Sequence, residues 1–134
     1  MIRTLLALIL LTQAWSGLHA QSAADSIRRL HRKTPAPLID TGVASYYHSK
    51  FQGRLTASGE KYDQEKMTAA HNRLPLGTRI KVTNLRNKRS VIVRVNDRLH
   101  HRNTRLVDLS KAAAAKLGYI GRGITRVRVE VLKD

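Results

Sequence analysis

Three segments of the chain alternate apolar and polar residues with a period of two: Thr78–Asn84, Val91–Asn96 and Arg126–Val131. In each segment, valine or isoleucine fills alternate positions. Successive side chains of a β-strand point to opposite faces, so this pattern is typical of strands that bury one face. Gly42–Tyr47 is interpreted as a further strand. These segments restrict the chain to a fold in which β-structure dominates.

Short connections and one helix complete the pattern. Arg86–Arg89 predicts a tight hairpin between two strands, in which Asn87 is expected to take a positive φ. Ser110 is the expected cap of a helix over the alanine-rich Lys111–Leu117, and Gly118 is its expected end. Several short strands with glycines between them and a single short helix indicate a small β-barrel.

The N-terminal region has the pattern of an exported protein. A basic start precedes the unbroken apolar run Leu5–Leu11, and Ala20 offers a small residue for cleavage. The run is too short to span a membrane, which takes about 20 apolar residues. We therefore predict a signal peptide over 1–20, a basic leader or linker over 21–38 and one folded domain over 39–134. A buried N-terminal helix is the alternative.

The composition is strongly basic. Lysine and arginine number 25 against 9 aspartates and glutamates, which gives a formal net charge of +16. Such a chain attracts anions, and export favours anionic polymers of the cell envelope over nucleic acid. The chain has no cysteine, which excludes disulfides, thiolate metal sites and a cysteine nucleophile. The histidines lack the H-E-x-x-H spacing, so we expect neither a metal nor a cofactor.

Carboxylates remain the candidates for catalysis, because the serine-hydrolase and NTPase signatures are absent. Asp97 directly follows an apolar strand, where a general acid can be held rigidly, but a turn cap or an ion pair with Arg98 explains it equally well. Glu60 lies in a small-residue loop open to a ligand, or is a solvated turn residue. His71 is more typical of a packed residue than of a base, and Asp108 is assigned to helix entry.

A series of short motifs begins at Gly42, in a region of family resemblance that extends to about Leu132. In chain order the motifs are Gly42–Tyr47, Phe51–Arg54, Thr56–Glu60, Thr68–His71, Leu74–Gly77, Val82–Leu85, Val93–Arg98, Asp108–Ser110, Ala113-Ala114 and Leu117-Gly118. Together they resemble the rare lipoprotein A (RlpA) family. The resemblance implies a mainly β fold, a six-stranded double-psi β-barrel with one or two short helices, related to expansin.

The resemblance also implies a function. Members of the family are lytic transglycosylases, carbon–oxygen lyases that act on peptidoglycan glycan strands, above all on strands without stem peptides. They cleave between N-acetylmuramic acid and N-acetylglucosamine and leave a 1,6-anhydro end without using water as the nucleophile. The family's acidic and histidine positions fall on Glu60, His71 and Asp97. Asp97 is the expected general acid and base, and Glu60 and His71 are expected to bind sugar and to tune it.

Four further residues are expected to contact the substrate. They are Tyr46, Tyr47, Arg98 and Ser58. The tyrosines, with Tyr62, line a sugar cleft or pack in the core, and the sequence leaves both alternatives open. No cofactor and no nucleic acid is expected as a partner, and the domain is expected to be a monomer.

The sequence departs from the family pattern at three places. Leu99–Arg102 stands where relatives often carry Gly-Pro and an aromatic residue, in a loop expected to border the cleft. No lipobox cysteine is present, so we expect a protein of the periplasm or envelope without a lipid or transmembrane anchor. No C-terminal peptidoglycan-binding repeat is expected. The altered loop favours an alternative, a non-catalytic, wall-loosening glycan-binding module like expansin, whereas retention of Asp97, Glu60 and His71 favours the enzyme.

Overall fold

The computed structural model describes residues 38–133. The predicted signal peptide and nearly all of the predicted leader lie outside the described residues. In the described part, the elements are β1 (Ile39–Tyr46), a 3-10 helix (Ser49–Phe51), β2 (Thr68–Ala70), β3 (Arg79–Asn84), β4 (Ser90–Asp97), β5 (Val107–Leu109), α1 (Lys111–Leu117) and β6 (Thr125–Val131). Within that range, neither helix is long and apolar enough to cross a membrane.

The six strands close into a barrel in the order β1-β5-β2-β4-β3-β6. The pairs β1–β5 and β2–β4 are parallel, and the other neighbours are antiparallel. The prediction of a closed, mainly β barrel is therefore confirmed. The parallel pair β2–β4 sets Ala70 beside Asp97, so the two strands end at the same place. This edge of the barrel carries most of the candidate site.

The interior of the barrel is filled by the alternating apolar residues. Ile80 and Val82 of β3 and Val95 of β4 are fully buried, whereas Ile92, on the opposite face of β4, is 48% exposed. Burying a side chain of this size contributes roughly 1.5–3 kcal/mol. The helix is also confirmed: the Ser110 side chain accepts a hydrogen bond from the Ala113 N–H, and Gly118 ends the helix with a left-handed φ of 76°.

The hairpin prediction was wrong in one detail. Lys88, and not Asn87, takes the positive φ, at 67°. The Asn87 side chain is held on both sides, because its Oδ1 accepts from the Arg89 N–H and its Nδ2 donates to the Leu117 carbonyl at the end of α1. Asn87 therefore anchors the hairpin to the helix, and the next residue makes the left-handed turn.

Candidate active site

Asp97 is the last residue of β4, and both of its carboxylate oxygens accept hydrogen bonds from neutral donors. The Tyr47 hydroxyl donates to Oδ2 at 2.5 Å, and the Ala57 N–H donates to Oδ1 at 2.9 Å. Tyr47 directly follows β1, and Ala57 lies in the loop before β2. Two donors that precede Asp97 by 50 and 40 residues in the chain therefore meet at its carboxylate.

Tyr47 is fixed by its neighbours. Its ring stacks on Tyr62 with a centroid distance of 4.4 Å and contacts Phe51 edge-on. Burial and then the hydrogen bond to Asp97 raise the pKa of the Tyr47 hydroxyl well above its usual value of about 10. The hydroxyl therefore keeps its proton and acts as a donor to Asp97.

The loop that carries Ala57 is attached to β4. The Ser58 N–H donates to the Asn96 carbonyl at 3.0 Å, and the Thr56 hydroxyl donates to the Glu60 carbonyl at 2.7 Å. These bonds set the Ala57 N–H beside Asp97. Among the predicted site residues, Ser58 is thus bound through its backbone N–H to Asn96, the residue before Asp97.

Glu60 closes the same loop with an ion pair that the sequence reasoning missed. Its two carboxylate oxygens accept bonds from Arg94 Nη1 and Nη2 at 2.6 and 2.8 Å, a bidentate geometry. The hydrogen bond from Arg94 holds the pKa of Glu60 below its usual range. Arg94 stands three residues before Asp97 on β4, and the signal that could have indicated it is a basic residue between the valines of that strand.

His71 lies at the end of β2, beside β4. Its side chain is buried, and its backbone N–H donates to the Asp97 carbonyl at 3.1 Å. Nδ1 accepts bonds from the N–H groups of Arg73 and Leu74, so the proton of the neutral ring resides on Nε2. Burial, followed by the charge of Arg73, lowers the pKa of His71, which keeps the ring neutral at pH 7.

Arg98 ties the His71 segment to the end of β4. Its Nη1 donates to the carbonyls of His71 and Leu74 at 2.6 and 2.8 Å. In the described part of the chain no ion pair joins Arg98 to Asp97, so the ion-pair explanation of Asp97 does not apply. Arg98 instead fixes the loop that carries His71.

Two grooves flank His71. The larger, about 360 Å³, lies between the start of β1, the His71–Arg73 segment and the Asn103–Leu106 segment. The smaller, about 210 Å³, is mainly apolar and also includes His71. Glu60 and Asp97 line neither groove, so His71 connects these grooves to the Asp97 edge.

The Leu99–Arg102 loop, whose sequence differs from the family pattern, begins beside the larger groove. Leu99 is buried, and its N–H donates to Oδ1 of Asn72, a residue of the groove wall. The rings of His100 and His101 lie against each other with centroids 4.2 Å apart. Leu99 therefore anchors the start of the Leu99–Arg102 loop beside the groove.

Within the described part of the chain, the side chains of Tyr46 and Asp108 form no hydrogen bond with Glu60, His71 or Asp97. The Tyr46 hydroxyl donates to the Ile120 carbonyl at 2.9 Å, and its ring meets Tyr119 edge-on. Asp108 lies on β5, where its carboxylate forms a bidentate pair with Arg105 at 2.8 and 2.9 Å. Asp108 thus has a structural partner, but that partner is the Arg105 side chain and not the helix end. Among residues 38–133, no three histidine, aspartate or glutamate side chains are grouped to hold a metal ion.

The sequence profile of the family described as lytic transglycolase matches residues 39–129. The chain belongs to this family. The endolytic peptidoglycan transglycosylase RlpA of Pasteurella multocida is 54% identical over 92 residues, which cover 69% of this chain and 31% of the relative. The protein of the same name from Neisseria meningitidis serogroup A is 42% identical over 144 residues, which cover 92% of this chain and 60% of the relative. The chain thus spans less than two thirds of either relative.

The fold of this lytic transglycolase domain is similar to that of a solved expansin structure. The apo expansin of Clavibacter michiganensis superposes with a TM-score of 0.58 at 25% identity, over 72% of this chain and 52% of that one. The family resemblance and the double-psi barrel expected from the sequence are confirmed.

Proposed function

We propose that this lytic transglycolase domain cleaves the linkage between N-acetylmuramic acid and N-acetylglucosamine in peptidoglycan and leaves 1,6-anhydro ends. One observation carries the proposal: Asp97, at the end of a barrel strand, has both carboxylate oxygens oriented by neutral donors. The names of the curated relatives support the same reaction. We further propose export by a signal peptide over 1–20, a leader over 21–38 and a catalytic domain over 39–134.

Asp97 supplies the proton chemistry. In its protonated form it donates to the glycosidic oxygen, and the bond between that oxygen and the anomeric carbon breaks. The carboxylate then accepts the proton of the 6-hydroxyl of the same muramic acid, as that oxygen bonds to the anomeric carbon. The leaving strand ends in a hydroxyl, the Asp97 proton is restored and no water is consumed. The nucleophile belongs to the substrate itself, and this lowers the entropic contribution to the activation barrier.

Glu60 and His71 support Asp97 in different ways. Glu60 stays ionised beside Arg94, which makes it unsuited to donate the proton, and it fastens the loop that brings the Ala57 N–H to Asp97. His71 is neutral and lines both grooves, so its Nε2–H is available as a donor to a sugar oxygen.

Ser58 and Arg98 form the walls of the proposed site. Each ties a loop to the end of β4, the first through its backbone N–H and the second through its guanidinium. Tyr46 is left out of the site, because its hydroxyl is bonded to Ile120 and its ring packs on Tyr119. The preferred substrate is glycan without stem peptides.

Product analysis on purified glycan strands tests the proposal. The protein is incubated with denuded strands and, in parallel, with intact peptidoglycan, and the ends released are separated by chromatography and identified by mass. The proposal expects 1,6-anhydro muramic acid ends, formed faster from denuded strands. Reducing ends would show hydrolysis instead and contradict the proposed chemistry.

A non-catalytic glycan-binding module is the second candidate. The fold likeness to expansin and the altered Leu99–Arg102 loop beside the groove favour it. Retention on glycan strands without any new ends, from a folded protein, would select this candidate over the enzyme.

A further inference from the structure

The hydroxyls of the adjacent residues Tyr46 and Tyr47 have different kinds of hydrogen-bond partner. The Tyr46 hydroxyl donates to a backbone carbonyl, that of Ile120. The Tyr47 hydroxyl donates to the side chain of Asp97, 50 residues away, at 2.5 Å. A separation of this size is typical of a hydrogen bond to a charged oxygen, which is stronger than a bond between neutral groups.

The ring of Tyr47 is poorly placed to serve as a platform for sugar. Tyr62 covers one face at 4.4 Å, and Phe51 contacts the ring edge-on. Tyr62 is itself buried, and its hydroxyl accepts a bond from the Lys111 N–H at the start of α1. The helix, Tyr62 and Tyr47 therefore form a continuous support that ends at Asp97.

The two donors to Asp97 come from different segments and reach different oxygens. The Tyr47 hydroxyl reaches Oδ2, and the Ala57 N–H reaches Oδ1. Rotation of the carboxylate about its last bond breaks both hydrogen bonds, so together they select one orientation. A catalytic carboxylate has to be held within a small angle of its productive geometry.

We propose that Tyr47 is a positioning residue, which orients the Asp97 carboxylate through its hydroxyl and does not bind the sugar. The proposal rests on the proposed function, in which Asp97 carries the proton. The Tyr47 hydroxyl is therefore expected to affect kcat and to have no effect on substrate affinity.

The test compares Tyr47→Phe with Tyr119→Phe on soluble denuded glycan. Each change removes one hydroxyl and keeps the ring, and the Tyr119 hydroxyl donates only to the backbone carbonyl of Ser45. Tyr47→Phe is expected to lower kcat by about 10- to 100-fold, as for loss of a hydrogen bond to a charged group, with KM unchanged. Tyr119→Phe is expected to leave kcat and KM unchanged while lowering Tm.

Four results overturn the proposal or separate it from the proposed function. A raised KM with an unchanged kcat in Tyr47→Phe would make the residue a sugar contact. Full activity of Tyr47→Phe together with an inactive Asp97→Asn would refute the positioning role of Tyr47 and leave the proposed function intact. Full activity of folded Asp97→Asn would refute the catalytic role of Asp97. In the Asp97→Asn background, Tyr47→Phe is expected to cause no further loss, and an additive loss would contradict the proposal.

A structural readout does not depend on activity. In a high-resolution crystal structure of Tyr47→Phe, the Asp97 carboxylate is expected in a rotated orientation or in more than one. An unchanged carboxylate orientation would show that the Ala57 N–H suffices, and the proposal would fail.

Discussion

Two carboxylates attached to the same strand have different partners. Glu60 meets Arg94 of β4 in a bidentate ion pair, with side chains that are 42% and 39% exposed. Asp97, three residues further along β4, meets a tyrosine hydroxyl and a backbone N–H, both of them neutral. A guanidinium places a positive charge beside the carboxylate that it binds, whereas a hydroxyl and a backbone N–H orient a carboxylate without placing a formal charge beside it. The first arrangement suits a structural brace and the second suits a group that gives and takes a proton.

The two arrangements are coupled through one loop. The Glu60–Arg94 pair and the Ser58–Asn96 bond hold the loop along β4, and the loop in turn delivers the Ala57 N–H to Asp97. On the proposed function, loss of the Glu60–Arg94 pair is therefore expected to weaken the orientation of Asp97, while loss of the Asp97 carboxylate is expected to remove the proton donor.

The largest expected effect is that of Asp97→Asn. The amide keeps the size of the side chain but can neither give nor take the proton, and loss of a general acid commonly costs about 10²–10⁴ in rate. Release of 1,6-anhydro products is the measurement, and circular dichroism is the folding control. Retained glycan binding is expected. Full activity in the folded variant would mean that another residue is the general acid, and Glu60 would be the next candidate.

Glu60→Gln is expected to lower the rate by less than about 10-fold, since it loosens the loop without removing the acid. It also changes the response to pH. Because Arg94 lowers the folded-state pKa of Glu60, the pair stabilises the fold above the ordinary pKa of about 4.3, and this contribution is lost as the pH falls through the lower folded value. Thermal unfolding measured from about pH 6 to about pH 3 is expected to show a shallower decline in the variant. Equal slopes would contradict the brace.

How much of this could be predicted differs between strands and contacts. The long strands β3, β4 and β6 bury alternate residues, so their pattern was visible. All three residues of β2 are buried and β5 has only three residues, so neither shows a useful period. The Tyr47–Asp97 bond joins residues that only the closed barrel brings together, and no local pattern marks it. The resemblance supplied Glu60, His71 and Asp97, but not the guanidinium that binds Glu60.

A smaller effect, on stability alone, is expected for Asp108→Asn. The change weakens the bidentate pair with Arg105, and the Asp108 side chain is only 16% exposed. Loss of this charged hydrogen-bond partner is expected to lower the free energy of unfolding by about 1–2 kcal/mol. In a domain of this size, each kcal/mol lowers Tm by roughly 4–8 °C. Product release below the new Tm is expected to stay at the wild-type rate. A large loss of activity in the folded variant would show that this third carboxylate belongs to the site.

The smallest expected effect concerns the basic surface outside the site. The excess of lysine and arginine is expected to attract anions of the cell wall. Added salt screens exposed charges, with a Debye length of about 10 Å at 0.1 M and about 3 Å at 1 M. Binding of the protein to isolated cell walls, measured by co-sedimentation, is expected to weaken between these salt concentrations. Retention that does not depend on salt would mean that contacts in the site dominate binding.

The ratio of two rates in one assay tests the different roles assigned to Asp97 and Glu60. Asp97→Asn and Glu60→Gln are incubated side by side with the same denuded glycan, and the 1,6-anhydro ends released by each are counted against the wild type. Asp97→Asn is expected to be slower than Glu60→Gln by about 10-fold or more, because Asp97 is the residue proposed to carry the proton. Equal losses, or a greater loss in folded Glu60→Gln, would contradict the assignment of the acid to Asp97 and of the brace to Glu60.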